Sequence, residues 1–209
     1  MHLSGSPPDL ARALVGDASF WINVVATKRV ERLLRAISAS PTITDVAFAE
    51  LERGRSKGRV AVEVVASLVQ AGTVNVVRCA PEDEEVFTSL IVGSATETLD
   101  DGEAATLVCA ARAGFTAVID ERKATSIAAI RFPELQVLST VDLLLGARVR
   151  AIVGQAELAG AIFDALTGAR MRVPRQHLDG VVELLGPERI SVCQSLPSRI
   201  RTLERQGER

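Results

Sequence analysis

One stretch constrains the fold more than any other: Leu99 to Ala124, reading LDDGEAATLVCAARAGFTAVIDERKA. Ala104, Leu107, Val108 and Ala111 keep the i, i+3, i+4, i+7 spacing of a single apolar helical face. Asp100 or Asp101 stands where a cap belongs, and Gly114 where the helix stops. Thr116 to Ile119 is then short, apolar and partly β-branched, the pattern of a parallel strand buried on both faces. Asp120 and Glu121 come directly after that strand ends. In open α/β sheets, ligands bind in the crevice outside the strand C-termini. Glu103, at the helix start, and Asp120 or Glu121, at the strand end, are therefore expected to face one crevice. Each acid also has a purely local use. Asp100-x-x-Glu103 has capping-box spacing, first-turn acids suit the helix dipole, and Asp120-Glu121 could cap the next helix.

The rest of the chain alternates in the same way. Ala11 to Val15 reads as a first strand ending in Gly16-Asp17, with Asp17 or Ser19 as the cap of the next helix. A long helical pattern then carries Val30, Leu33, Leu34 and Ile37 on one stripe. Pro41 to Thr44 is a second strand, after which Asp45 is expected to cap a helix bearing Glu50 and Arg53. Helices over 60–71, 82–92, 124–131 and 140–150 alternate with strands over 74–77 and 136–138. This order predicts a three-layer α/β/α sandwich around a parallel sheet of four or five strands.

After Gln155 strand signals cease. Two helices, 158–166 and 175–185, flank Thr167 to Pro174, and a tail with Arg189, Arg199, Arg201, Arg205 and Arg209 reads as a loose arm or an interaction helix. The expected organisation is an α/β domain over 1–150 and a helical extension with an Arg-rich tail over 151–209.

Several chemistries are unsupported. Aromatic residues are only 3% of the chain, with no Tyr, which argues against a base-stacking platform. A net charge of −2 excludes a strongly basic coat but leaves room for local basic patches. No GxxxxGK[ST] and no post-strand GxGxxG is present, so nucleotide cradling has no motif. Of the two histidines, His2 is terminal and His177 is expected on a helix surface, a poor basis for a triad or a His-rich zinc site. Cys79, Cys109 and Cys193 show no metal spacing, and Cys109 reads as a small buried residue. The cysteine usage, the absence of a signal-peptide pattern in MHLSGSPPDLARALVG, and the lack of any run near ~18 apolar residues together predict a cytoplasmic chain without a membrane span.

What remains is oxygen chemistry. Asp17, Glu50, Glu103 and Asp120 or Glu121 come from four separate segments. Gathered together, such carboxylates repel one another unless a cation neutralises them. Mg²⁺ and Mn²⁺ prefer oxygen ligands. Arg53-Gly-Arg55-Ser-Lys57-Gly-Arg59 is a basic loop that reads either as a solvated connection or as a phosphate contact.

The chain from Gly16 to about Gly186 resembles a PIN domain, the nuclease fold of VapC-like toxins. GDASFWINVV is similar to the family's opening strand-end Asp, then a small polar residue, Ser19, and a polar position one turn on, Asn23. ITDVAFAEL is similar to the segment ending in Glu-Leu, which puts Glu50 in the site. LDDGEAATLVCAARAG resembles the acidic-headed helix, with Glu103 where many members carry Asp. TAVIDERKA resembles the strand before the fourth acid, Asp120 or Glu121. The later VLSTVDLLLGA and IFDALTGARMRVPRQHLDGVVELLG are most similar to a prokaryotic branch of mostly unassigned role.

The resemblance implies a Mg²⁺- or Mn²⁺-dependent endoribonuclease. Asp17, Glu103 and Asp120 would hold the metal, and Glu50 and Glu121 would complete the acidic set. Asn23, Ser19, Arg53, Arg55, Lys57 and Arg59 would lie on the RNA side. It further implies an antitoxin partner whose tail occupies the cleft, and a homodimer. The competing expectation is a non-catalytic PIN-like interaction module in which the acids are helix caps.

Overall fold

Strand β1, Leu14–Gly16, is buried throughout and forms the axis of the sheet. The computed structural model describes residues 13–38, 40–55 and 60–201, the side chain of Arg55 excepted. Strands β2 (Pro41–Thr44), β3 (Asn75–Val77), β4 (Thr116–Val118) and β5 (Val137–Leu138) complete a five-stranded sheet in the order β3-β2-β1-β4-β5. All four pairings are parallel. Gly16 stands opposite Ile43 on one side and Val118 on the other, so the three central strands end level.

Side chains alternate across a strand, and the core divides accordingly. Leu14, Ile43 and Val118 join a cluster with Phe20, Trp21, Leu33, Ile37 and Leu144. Val15, Ala117 and Ile119 join a second one with Leu90, Leu107 and Val108. Helices α1 (Ala18–Ala26), α2 (Val30–Ile37), α3 (Asp45–Arg55) and α4 (Ala61–Gln70) contribute to the first. Helices α5 (Glu84–Ile91), α6 (Asp101–Ala113) and α7 (Arg122–Arg131) cover the other face. The α/β/α sandwich around a parallel sheet is thus the fold.

The remaining helices are α8 (Thr140–Leu144), α9 (Ala147–Val153), α10 (Gln155–Gly168) and α11 (Leu178–Val192). Leu158, Ile162, Ala165 and Val181 are buried in the same cluster as Phe20 and Trp21. As far as Arg201 the tail departs from a loose arm, because Ile190, Cys193 and Leu196 are also buried there; Arg205 and Arg209 lie outside the described residues. Apolar residues separated by Gly186, whose φ of 73° breaks the helical path, hid this continuation.

Four local expectations are corrected. The long pattern after Asp17 is two helices, broken where Lys28 takes φ 60°. The first strand begins at Leu14, and Ala11 and Arg12 lie outside the described residues. The cap of α3 is the Thr44 hydroxyl, which accepts from Ala47 N at 3.0 Å, in place of Asp45. Gly146 divides the pattern over 140–150 into α8 and α9. No helix among the described residues is long and apolar enough to cross a membrane.

Candidate functional site

The sheet order creates the site. After β1 the chain adds β2 and β3 on one side, then returns to place β4 on the other. The gap beyond β1 and β4 is therefore a topological switch point, where helices on adjoining connections diverge and leave a crevice. Asp17 and Asp120 come just after these two strands, and Asp17 N donates to Val118 O at 3.1 Å.

Asp17 caps α1. Its Oδ1 accepts from Phe20 N at 2.7 Å and its Oδ2 from Ser19 Oγ at 2.6 Å. Gly16 is needed before it, since a Cβ there would lie 2.1 Å from the Phe20 ring. Trp21 Nε1 donates to the Gly16 carbonyl at 3.2 Å and fixes this corner from behind. Asp120 is held equally firmly. Its Oδ1 accepts from Thr140 N at 2.7 Å, and its Oδ2 accepts from Thr140 Oγ1 and Asn23 Nδ2, both at 2.6 Å. Between the two adjacent acids, Glu121 is the cap of α7, accepting from Lys123 N. Asp120 is thereby left to turn inward.

The capping box at the head of α6 is real, and its Glu103 still lines the crevice. Asp100 Oδ1 accepts from Glu103 N at 2.9 Å, and Glu103 Oε2 accepts from Asp100 N at 3.3 Å. Local capping and a place in the crevice are therefore compatible uses of one residue. Glu50 reaches α6 from α3. Its Oε1 accepts from Gly102 N at 2.9 Å and stands 3.8 Å from Arg53 Nη2. A Cβ on Gly102 would lie 2.3 Å from the Glu50 carboxylate, so only glycine admits this seat.

These acids line one cleft of about 740 Å³ with Ser19 and Asn23. Burial comes first among the causes that perturb them. Asp17 is pushed well above the usual carboxylate range by burial, then by the nearby charge of Asp120, with Glu103 adding to it. Burial and Asp100 raise Glu103 to about 7. Burial raises Asp120 against the opposing hydrogen bonds of Thr140 and Asn23, and burial also raises Glu50. A cavity whose acids resist ionising is one that a cation would stabilise.

The donors are all oxygens, which suits Mg²⁺ or Mn²⁺. Among the described residues, no group of three or more His, Cys, Asp or Glu side chains is positioned to hold an ion together. The fit is therefore to an ion held by one or two carboxylates with water completing its shell, the usual manner of Mg²⁺. Asp17, Glu103 and Asp120 line the cleft and are the side chains from which those one or two ligands would come.

The cleft's described cations are ones that sequence reasoning missed. Arg170 and Arg172 project from the segment joining α10 to α11, and Arg172 Nη1 donates to the Asp120 carbonyl at 2.9 Å. The available signal was two arginines flanking Met171 in a segment bounded by Gly168 and Pro174; Met171 is buried while both arginines are exposed. Arg53 pairs with Glu50, while Lys57 and Arg59, and the side chain of Arg55, lie outside the described residues. His177 is half-buried rather than on a helix surface, because Asp142 draws its Nε2 inward. Ser139 also donates to Asp142, so the carboxylate stands between hydroxyl and imidazole, an order that cannot relay a proton from Ser to His. Cys109 is buried as expected, and its Sγ lies 3.5 Å from that of Cys79.

Fold and crevice together define an α/β/α protein with an acidic cleft at the β1–β4 switch point. A PIN-domain family model matches residues 13–187, and the chain belongs to that family. PIN domains are commonly nucleases and typically use divalent metals. No curated protein and no solved structure matches the chain.

Proposed function

We propose that this PIN domain is a Mg²⁺- or Mn²⁺-dependent endoribonuclease, and that it is the VapC-like toxin half of a toxin-antitoxin pair. The observation that carries the reading is the convergence of Asp17, Glu103 and Asp120, all with raised pKa, in one cleft edged by Arg170 and Arg172. Bound there, the ion would polarise a phosphodiester and favour ionisation of water at neutral pH. Asp17 and Asp120 supply fixed charge, since each is oriented by hydrogen bonds from its own neighbours. Asn23 keeps Asp120 turned toward the cleft. Arg170 and Arg172 provide guanidinium donors for a strand's phosphates.

The deciding experiment incubates a panel of structured RNAs with wild type and Asp17→Asn in Mg²⁺ or Mn²⁺. Cleavage by wild type alone is expected. Equal inertness of both across the panel removes the enzymatic reading. For the toxin role, the expected partners are a small antitoxin with a basic segment for the cleft and a second copy of this chain. A neighbouring gene for a small DNA-binding protein would support it.

One observation favours a second reading, a non-catalytic interaction module. Glu50, Asp100 and Glu121 spend their carboxylates on helix N-termini. Calorimetric titration with Mn²⁺ separates the two, because the module binds no ion near neutral pH.

A further inference from the structure

We propose that the cavity on the far side of Arg172 is a second phosphate-binding site, which grips the backbone of an RNA strand as it leaves the carboxylates. This rests on the ribonuclease reading of the cleft and gives the substrate a path. The cavity is about 360 Å³, and Arg122, Arg172, Arg175, Asp120, Ser139 and Asp142 are among its lining residues. Asp120 and Arg172 also line the acidic cleft, so the two depressions adjoin across shared residues.

Three separate segments bring the arginines here: the first turn of α7, the α10–α11 connection, and the 3₁₀ turn Arg175–His177. None of the three forms an ion pair with a described residue. Some arginines elsewhere are paired, Arg29 with Asp164, Arg32 with Glu157, Arg78 with Asp45, and Arg112 with Asp83. Arg172 gives one bond to a neutral carbonyl and keeps other donors free.

Among the described residues, both carboxylates that line the cavity are already engaged, Asp120 by Thr140 and Asn23 and Asp142 by Ser139 and His177. Burial opposes the ionisation of Asp142, but Ser139 and His177 outweigh it and hold its pKa below the usual range. Its oxygens are bound to those two residues, not to the arginines. Among the described residues no aromatic side chain lines the cavity, so they offer guanidinium forks for phosphates and no platform for bases. Recognition here is of the backbone and tolerates any sequence.

Full-length protein is titrated into a 5′-fluorescein single-stranded RNA 12-mer in EDTA, which prevents cleavage, and anisotropy is read at several salt concentrations. Arg122→Ala and Arg175→Ala are each expected to weaken binding about fivefold and to reduce the salt slope by about 0.7 per lost phosphate contact. Arg122→Glu and Arg175→Glu should weaken it further. Arg148→Ala, exposed on α9, should bind like wild type. All three arginines are exposed, so these variants should fold, as circular dichroism will check. Wild-type affinity in both the Ala and Glu variants, with wild-type RNA binding intact, overturns the second site and leaves the ribonuclease reading standing. Failure of wild type to bind the 12-mer overturns the second site, whereas the ribonuclease reading falls only if the structured-RNA panel stays uncut in Mg²⁺ or Mn²⁺.

Discussion

Asn23 Nδ2 lies 2.6 Å from Asp120 Oδ2, joining residues 97 positions apart in the chain. The bond ties α1 to the end of β4 and fixes one carboxylate relative to the other, because Asp17 caps the same helix that carries Asn23. Removing it leaves Asp120 to its two bonds from Thr140. Asn23→Ala should destabilise the fold by about 1–3 kcal/mol, the usual cost of losing a hydrogen bond to a charged buried group. It should lower RNA cleavage more than tenfold. Chemical denaturation and single-turnover cleavage check the two effects.

Asp17→Asn separates charge from structure. Asparagine caps helices about as well as aspartate, so α1 should persist. It also removes a buried charge that faces Asp120 and Glu103. Thermal melting in EDTA should show stability equal to wild type or higher, by about 1 kcal/mol, while cleavage is lost. A large drop in melting temperature would mean that the carboxylate is structural.

Glu103 gives the pH dependence. Its pKa is raised from 4.5 to about 7 in the folded chain, so between these values the folded state holds more protons than the unfolded one. Stability contributed by this group is therefore fully present below pH 4.5 and falls as pH rises through 7, with about 3 kcal/mol as a ceiling. Asp17 and Asp120, also raised, act in the same direction. Urea titrations in EDTA at pH 5.5 and 8 should show this loss, and Glu103→Gln should flatten it.

Ion binding should offset that loss. Mn²⁺ competes with protons for the same oxygens, so its stabilisation should be larger at pH 8 than at pH 5.5. Differential scanning fluorimetry with and without Mn²⁺ reads the difference directly. An equal shift at both values would place the ion elsewhere.

Gly102→Ala tests the α3–α6 junction. The new Cβ would fall 2.3 Å from the Glu50 carboxylate, which must then leave Gly102 N. Loss of the capped contact together with overpacking should cost about 1–3 kcal/mol. Glu50→Ala combined with Gly102→Ala should cost less than the sum of the two, measured as a double-mutant cycle.

The legible parts of this fold are those encoded locally. Pro41–Thr44 is a short, β-branched-rich segment, and the structure keeps its bounds. Asp100, Glu103 and Gly114 carry the start and stop of α6 within one contiguous stretch, and Gly114 takes φ 64° at the stop. Asp17 and the pair Asp120-Glu121 are legible as acids at strand ends, but which of the pair turns inward depends on the cap that Glu121 gives α7. The α10–α11 connection was opaque for the opposite reason. Arg170 has φ 56° and belongs to no periodic element, and Arg172 acquires a partner only when β4 arrives beside it. The break at Lys28 is equally hidden, since Ala26 and Val30, four apart, continue an apolar stripe across it. Glu50 was legible as an acid on α3, but its seat on Gly102 depends on a tertiary approach that no spacing encodes.

The order of strands has a consequence for biosynthesis. β1 leaves the ribosome early but receives β4 only after about a hundred further residues, and Arg172 emerges later still. A truncated or stalled product ending before Thr116 has Asp17 without Asp120 opposite it, and so has no complete cleft. On the proposed nuclease reading, an unfinished copy would stay inactive until β4 docks beside β1.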